Sequence, residues 1–328
     1  MRLVAAPDKF KGTATAAEVA SAIAAAAAEQ GWECDQVPMA DGGEGTLDAL
    51  GGPNRTTVVR GPLGDPVKAC WRLSRRHAVI EMAEASGLQL VGGPEGNDAV
   101  AASTYGTGEL IGLAAEAGAS SILVGVGGSA STDGGLGALE ALHPAHRFRG
   151  IDLKVACDVR IHFTEAAERF GPQKGATPAQ VRLLTKRLER LIDVYRHDYG
   201  VDVGDLEGGG AAGGLAGGLA AISAELVPGF DAVAEEVALE EHIEGADLVI
   251  TGEGLLDSES FDGKVVGGVW QLAVDLGVPV VAIVGQVFDG AQDRLQVISL
   301  TDGFGRERAV SEPLACINNA VAECLGCR

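Results

Sequence analysis

Apolar residues along the chain alternate between strand-like runs and helical spacings. Between the runs, the spacing is helical: Thr15 and Glu18 form a capping box for an alanine-rich helix that ends at Gly31, and a last helix starts near Pro313. This alternation is typical of a parallel α/β sheet. The runs that predict buried strands are Leu3–Ala6, Cys34–Pro38, Asp247–Thr251, Val278–Val284 and Gln296–Leu300.

The middle of the chain follows a different pattern. Its first β-runs are joined by tight turns and predict an antiparallel meander, and helical and strand-like segments follow it. We therefore expect an α/β fold made of a discontinuous parallel-sheet domain (1–57 and 228–328) with a large inserted mixed α/β domain (58–227), and an active site in the cleft between them. The β-runs are Thr56–Val59, Gly61–Gly64, Val67–Leu73 and His77–Met82.

Charge and composition narrow the classes of function. With 25 Lys and Arg against 46 Asp and Glu, the net charge is −21, which argues against nucleic acid and anionic membranes as partners. The N-terminus resembles a strand rather than a signal peptide, and we find no apolar run long enough to span a bilayer, so we expect a cytoplasmic protein. Many of the 48 glycines follow strand-like runs, as in ligand-binding turns.

Acidic residues recur in these glycine-rich or strand-end settings. Carboxylates there could bind a hard cation such as Mg²⁺ or accept a proton, although each one could also merely cap a helix. The segment Pro38–Thr46, which places two acids among three glycines, is the most informative example. The acids are Asp41, Glu44, Asp133, Asp158, Glu253 and Asp257.

Lysines occupy three loops of the same kind. Lys9 and Lys11 follow the first strand, whereas Lys174 and Lys264 precede helices. A lysine near a helix N-terminus suits phosphate oxygens, and a solvated turn is the alternative. Three such loops in a chain of charge −21 favour a polyanionic ligand.

Several motifs of other enzyme classes do not occur. The chain has neither a P-loop of the form G-x-x-x-x-G-K-[ST] nor a G-x-S-x-G elbow. The stretch Gly125–Ala130 matches a dinucleotide fingerprint loosely, without an acidic residue at a clear strand end about twenty positions later. A nicotinamide-dependent dehydrogenase is therefore a distant alternative.

An ordered set of motifs resembles the bacterial class I glycerate kinases. The resemblance implies ATP-dependent phosphorylation of D-glycerate to 2-phosphoglycerate, with Mg²⁺, by a flavodoxin-like domain made from both chain ends and carrying an inserted domain. The motifs are Ala6–Gly12, Pro38–Gly45, Ser103–Ile111, Gly127–Gly135, Ala156–Val159, Phe170–Thr177, Gly210–Gly214 and Ile250–Asp257.

Phosphoryl transfer needs alignment and charge cancellation, which suggests roles for these residues. Asp41 is our first candidate for the base that accepts the acceptor hydroxyl's proton and Asp8 the second, with Lys11 and Asp133 as further catalytic candidates. For Mg²⁺ we expect Asp158, Glu253 and Asp257. The candidates for binding substrate or phosphate are Lys9, Gly42, Gly43, Gly127, Gly128, Ser129, Lys174, Lys264 and Arg160.

Two departures from the family pattern keep alternatives open. Leu255 follows Gly-Glu-Gly where the family commonly has arginine, and Arg160–Phe163 replaces the usual Thr-Asn-Pro-Leu segment. Arg160 could take over an anion-binding role, or the acceptor could be a different small hydroxy acid. A non-catalytic ligand-binding paralogue is the other alternative, and the sequence leaves homo-oligomerisation open.

Overall fold

The computed structural model describes residues 1–148, 150–288 and 295–326. Two compact units make up this part of the chain. The first comprises residues 1–41, 48–50 and 229–328, and the second residues 42–47 and 51–228. The expected boundary at residue 57 lies later than the point at which the second unit begins.

The strands alternate with helices in the first unit, whereas in the second unit three successive strands come before helices and strands alternate. In chain order they are β1 (Arg2–Ala5), β2 (Glu33–Gln36), β3 (Arg55–Arg60), β4 (Pro66–Ser74), β5 (His77–Glu81), β6 (Ser121–Gly125), β7 (Asp152–Cys157), β8 (Glu225–Pro228), β9 (Leu248–Leu256), β10 (Val280–Val287) and β11 (Gln296–Ser299).

The α-helices range from one turn to 22 residues. They are α1 (Ala16–Glu29), α2 (Thr46–Ala49), α3 (Ala83–Ser86), α4 (Tyr105–Glu116), α5 (Leu136–Ala141), α6 (Ala166–Phe170), α7 (Pro178–Tyr199), α8 (Ala211–Ala221), α9 (Gly229–Glu236), α10 (Leu239–Ile243), α11 (Val265–Asp275), α12 (Leu300–Phe304), α13 (Arg306–Ser311) and α14 (Pro313–Gly326).

The first unit is built on a parallel sheet in the order β11-β10-β9-β1-β2. Counted within this unit alone, the strand order is 2-1-3-4-5, which is the flavodoxin-like order. The chain leaves the unit after its second strand and returns before its third. The expected flavodoxin-like sheet made from both chain ends is therefore present.

Strand periodicity distributes the core of this unit over both faces of the sheet. Leu3 and Ala5 pack with α1 and α14 on one face, whereas Val4 packs with α9 and α11 on the other. The apolar runs read as buried strands because both sides of each strand are covered by helices.

The second unit has a mixed sheet in the order β3-β4-β5-β6-β7-β8. Its first three strands form an antiparallel meander, and β5 to β8 are parallel. Gly61–Gly64 is a turn rather than a β-run, because the amide of Gly64 bonds back to the carbonyl of Gly61. The mixed α/β character expected for this part of the chain is confirmed.

One strand extends further than the sequence indicated. We expected the third parallel strand to end before Gly252-Glu253-Gly254, but β9 runs on to Leu256 and pairs with β10 over that stretch. Gly252 permits this close pairing, since a Cβ there would collide with the carbonyl of Ile283.

Among the helices that the structure describes, none is both long and apolar enough to cross a membrane.

Candidate functional site

Two acidic side chains, Asp8 and Glu253, lie near the carboxyl end of β1, where Asp8 follows that strand and Glu253 belongs to the neighbouring strand β9. The backbone pairing of β1 with β9 continues beyond Ala5, because the amide of Asp8 donates to the carbonyl of Gly252 at 2.8 Å. The strands β1 and β9 adjoin at the point where a flavodoxin-like sheet reverses its strand order. Ligands of open α/β sheets bind outside the carboxyl ends of strands at this point.

Asp8 is a nearly buried carboxylate with a lysine beside it. The residue is 9% exposed, and its Oδ1 accepts from the Lys9 amide at 2.7 Å and lies 3.6 Å from Lys9 Nζ. Burial raises the pKa of Asp8 to about 6, although the Lys9 charge lowers it and the Asp41 charge raises it. Asp8 therefore remains largely ionised at neutral pH while being a stronger base than an exposed aspartate.

Glu253 is the second perturbed acid. Burial raises its pKa to about 7, and the charge of Asp8 adds to that increase, whereas a hydrogen bond from Ser260 opposes it. Its Oε1 is buried without a hydrogen-bond partner among the described residues. A buried acceptor of this kind is suited to bind a cation or a hydrogen-bond donor, because an unsatisfied carboxylate oxygen is costly.

Asp41 is the last residue of the first chain segment in this unit. The segment after β2 still pairs with the segment after β1, since the amide of Met39 donates to the carbonyl of Pro7 at 2.9 Å. This places half-buried Asp41 close enough to Asp8 for its charge to raise the pKa of Asp8. Three of the predicted acids, Asp8, Asp41 and Glu253, are thus electrostatically linked within one unit.

The lysines of the first unit surround the same strand ends. Lys264 is the N-cap residue of α11, its Nζ lies 3.8 Å from Glu259 Oε2, and its charge acts on Glu253. The side chain of Lys11 is exposed, and its backbone lies against β9, since a Cβ at Gly254 would be 3.3 Å from Lys11 N.

Asp257 caps a helix, which is the alternative role that the sequence allowed for each of these acids. Its Oδ1 accepts from the amides of Glu259 at 2.9 Å and Ser260 at 3.1 Å, capping the 3-10 helix Ser258–Phe261. Asp257 is thus a helix cap, and its expected metal role stays a prediction.

In the second unit, the two glycine-rich loops pack against each other. A Cβ at Gly127 would lie 2.8 Å from Gly43 Cα, and one at Gly125 would lie 2.8 Å from the carbonyl oxygen of Gly42. Gly128 has a φ of +69°. The structure therefore brings Gly42, Gly43, Gly127 and Gly128 into one cluster, where at least part of the glycine requirement comes from backbone packing.

Asp133 is an internal acceptor. Its Oδ2 accepts from the amide and hydroxyl of Thr104, each at 2.8 Å, and from the amide of Gly137 at 3.3 Å, while Oδ1 accepts from the amide of Gly135 at 3.2 Å. With both oxygens engaged, Asp133 orders its loop, and its expected catalytic role stays a prediction.

Lys174 is also internal. It is 2% exposed, and its Nζ donates to Ser129 Oγ at 2.7 Å and to the carbonyl of Ser131 at 2.6 Å. Burial lowers its pKa to about 7, against the charge of Asp133, which raises it. These two bonds hold the loop from Gly127 to Gly135, and the expected contact of Lys174 with phosphate stays a prediction.

The remaining candidates of the second unit are exposed. Asp158 follows β7, and Arg160 Nε lies 3.5 Å from Glu207 Oε1 with most of its side chain in solvent. In the described ranges, no group of three or more His, Cys, Asp or Glu side chains could hold a metal ion. The expected roles of Asp158, Glu253 and Asp257 as Mg²⁺ ligands stay predictions.

Two contributing residues were missed by our sequence reasoning. Thr104 holds Asp133, and Ser260 bonds to Glu253. Ser260 occupies the third position after the cap residue Asp257. An Asp-x-x-Ser capping pattern was the available signal for it.

Comparisons with known proteins identify the family of the chain. A family model described as "Glycerate kinase family" matches residues 3–146 and 143–322. Glycerate 2-kinase of Escherichia coli K12 is 40% identical, with 88% of this chain and 86% of that protein covered. Glycerate kinase of Bacillus subtilis 168 is 39% identical over 88% and 85%.

A solved structure extends the likeness to three dimensions. The crystal structure of a protein designated glycerate kinase 2, from Salmonella typhimurium LT2, superposes with a TM-score of 0.84 at 36% identity, covering 99% of this chain and 98% of that one. The sequence matches and the shared fold together lead to one conclusion: this chain belongs to the glycerate kinase family.

Proposed function

We propose that this protein transfers the γ-phosphoryl group of ATP to the 2-hydroxyl of D-glycerate in the cytoplasm. The observation that carries the proposal is the pair of perturbed acids, Asp8 and Glu253, at the strand-order reversal of a flavodoxin-like sheet, with lysines around them. Pairs of titratable groups with shifted pKa values in such a place are candidates for proton transfer and cation binding. Family membership supports the substrate.

Asp8 is the general base in this proposal, ahead of our first candidate Asp41. A base works best when its pKa approaches the operating pH, and burial raises the pKa of Asp8 to about 6. The charge of Asp41 contributes to that rise. Asp41 would therefore act mainly through Asp8, by making it a stronger base.

Lysines would offset the charge of the phosphates. Lys9, Lys11 and Lys264 are on the first unit, and Lys264 is at the N-terminus of α11, where unpaired amides also favour anions. Such groups act by positioning and by electrostatic stabilisation of the phosphates.

Glu253 fits an Mg²⁺ ligand. The ion often takes only one or two carboxylates from the protein, with water and substrate phosphates completing its shell, so a cluster of three acids is not required. The orphaned Oε1 of Glu253 is a suitable oxygen donor. When bound, Mg²⁺ would neutralise charge on the transferring phosphates.

One observation favours a second candidate, a kinase for a different small hydroxy acid. Leu255, where the family pattern commonly has arginine, is 45% exposed near the end of β9. An acceptor lacking a second anionic contact would suit this change.

A panel of acceptors distinguishes the two candidates. ADP release would be measured with ATP, Mg²⁺ and each of D-glycerate, L-glycerate, lactate and glycolate. We expect the highest kcat/KM with D-glycerate. A clear preference for another acid would identify that acid as the substrate in place of D-glycerate. ATP binding without turnover of any acid would favour a non-catalytic paralogue.

A further inference from the structure

The first unit contains a large cavity alongside α11. Its volume is about 700 Å³, within the usual range for small-molecule pockets, and it lies between α11 on one side and α9 with α10 on the other. It begins at Gly263, next to Lys264, and extends to Asp275 at the far end of α11. An 11-residue helix gives it a length of about 16 Å.

Aromatic residues line this cavity, and two glycines inside α11 let them approach the helix closely. Gly268 makes room for a ring, and Gly267 for the backbone of an aromatic residue. A Cβ at Gly268 would collide with the ring of Phe230, and one at Gly267 would lie 2.6 Å from Phe261 Cα. Phe261 meets Trp270 edge to face, with ring centroids 5.9 Å apart. Each glycine destabilises a helix by about 1 kcal/mol relative to alanine. The close approach of Phe230 and Phe261 to α11 therefore costs stability, which a binding surface would explain.

The charged residues among those that line the cavity are all acidic. They are Asp231, Glu235, Glu240, Glu241 and Asp275. At the near end, Lys264 caps α11 and acts electrostatically on Glu253. A ligand that fits this pattern is anionic next to Lys264, planar where it meets the aromatic rings, and rich in hydrogen-bond donors toward the carboxylates.

We propose that this cavity binds the nucleoside part of the phosphoryl donor. The base would stack on the rings, and its amino group or the ribose hydroxyls would donate to the carboxylates. The triphosphate would extend toward Lys264 and Glu253. This inference rests on the proposed function, because it identifies the binding site of that reaction's nucleotide.

Fluorescence gives a direct test in the wild-type protein. Trp270 lines the cavity, whereas Trp32 and Trp71 are buried in the two cores. Titration with ADP should change the emission in a saturable way, and Trp270→Phe should abolish the change. A saturable signal from adenosine as well would support the nucleoside assignment, whereas a response to organic cations such as arginine or spermidine, without one to ADP, would overturn it.

A pair of variants links the cavity to catalysis. Ala234→Phe fills it from α9, and Val274→Phe adds the same ring on the exposed side of α11, outside the cavity. We expect Ala234→Phe to raise the KM for ATP and the Kd for ADP by about tenfold or more, with the KM for glycerate little changed, and Val274→Phe to leave all three near wild type.

The outcomes separate the inference from the function beneath it. An active wild type whose ATP KM is unchanged in folded Ala234→Phe contradicts the cavity assignment and leaves glycerate phosphorylation standing. ADP binding that Ala234→Phe weakens, in a wild type that phosphorylates no acid, supports the cavity and contradicts the proposed function.

Discussion

At the scale of single residues, burial determines which charged groups can act. Asp8 and Lys174 are both nearly buried, yet Asp8 is surrounded by Lys9 and other acids at a strand end, whereas Lys174 donates to a serine hydroxyl and a carbonyl inside its own unit. Residue type and loop position in the sequence suggested a ligand contact for both. Of the two, only Asp8 lies beside the carboxyl end of β1, where we propose that ligands bind.

Removing the carboxylate of Asp8 tests its role as base. We expect Asp8→Asn to lower kcat by about 10²-fold or more while changing the KM for ATP little, because general-base catalysis contributes that much to the chemical step. Asp41→Asn should have a smaller effect. Steady-state kinetics on both folded variants decides between them, and the opposite ranking would return the role to Asp41.

The buried lysine makes a prediction about stability and pH. Lysine has an ordinary pKa of 10.5, and burial lowers that of Lys174 to about 7, so between these values the unfolded chain binds a proton that the folded chain does not. The free energy of unfolding of wild type should therefore rise with pH in this window. Relative to Lys174→Met, the gain from pH 7 to pH 9 should be on the order of 2 kcal/mol.

Urea unfolding at the two pH values measures this difference. Exposed Lys186 on α7 provides the control, since Lys186→Met removes a lysine from solvent and should change with pH as wild type does. A Lys174→Met variant with the same pH dependence as wild type would show that the folded lysine keeps its ordinary pKa.

At the scale of secondary structure, local signals succeeded where the chain determines its own ends. Thr15 forms the capping box expected from its spacing, Thr177 forms another at the start of α7, and Gly200 ends α7 in the left-handed region at φ +76°. The predicted end of β9 was wrong, because pairing with β10 extends the strand through Gly252 and Gly254. Glycine in a sequence predicts a turn, whereas here it permits two strands to approach closely.

The cap of α7 can be tested directly. Thr177 Oγ1 accepts from the amide of Gln180, so Thr177→Ala should lower the free energy of unfolding by about 1 kcal/mol. Thr185→Ala, inside the same helix, should cost less, because alanine is the better helix former there. Equal losses of unfolding free energy for the two variants would show that the cap makes no special contribution.

At the scale of the whole molecule, the chain pattern predicted a parallel sheet interrupted by an insertion. The flavodoxin-like order follows from strands contributed by both chain ends, which the alternating apolar runs indicated. The position of Gly42–Leu47 in the second unit was beyond the pattern, because contacts with Gly125 and Gly127, far along the sequence, decide it. The pairing of Glu253 with Asp8 likewise depends on β1 lying beside β9.

The central claim is that this member of the glycerate kinase family phosphorylates D-glycerate at its 2-hydroxyl. Phosphorus NMR of the products formed from ATP, Mg²⁺ and D-glycerate tests it most directly. We predict ADP and one new phosphomonoester signal, split into a doublet by the single proton on carbon 2. A triplet would place the phosphate on carbon 3, and the absence of any glycerate-dependent phosphomonoester would contradict the account.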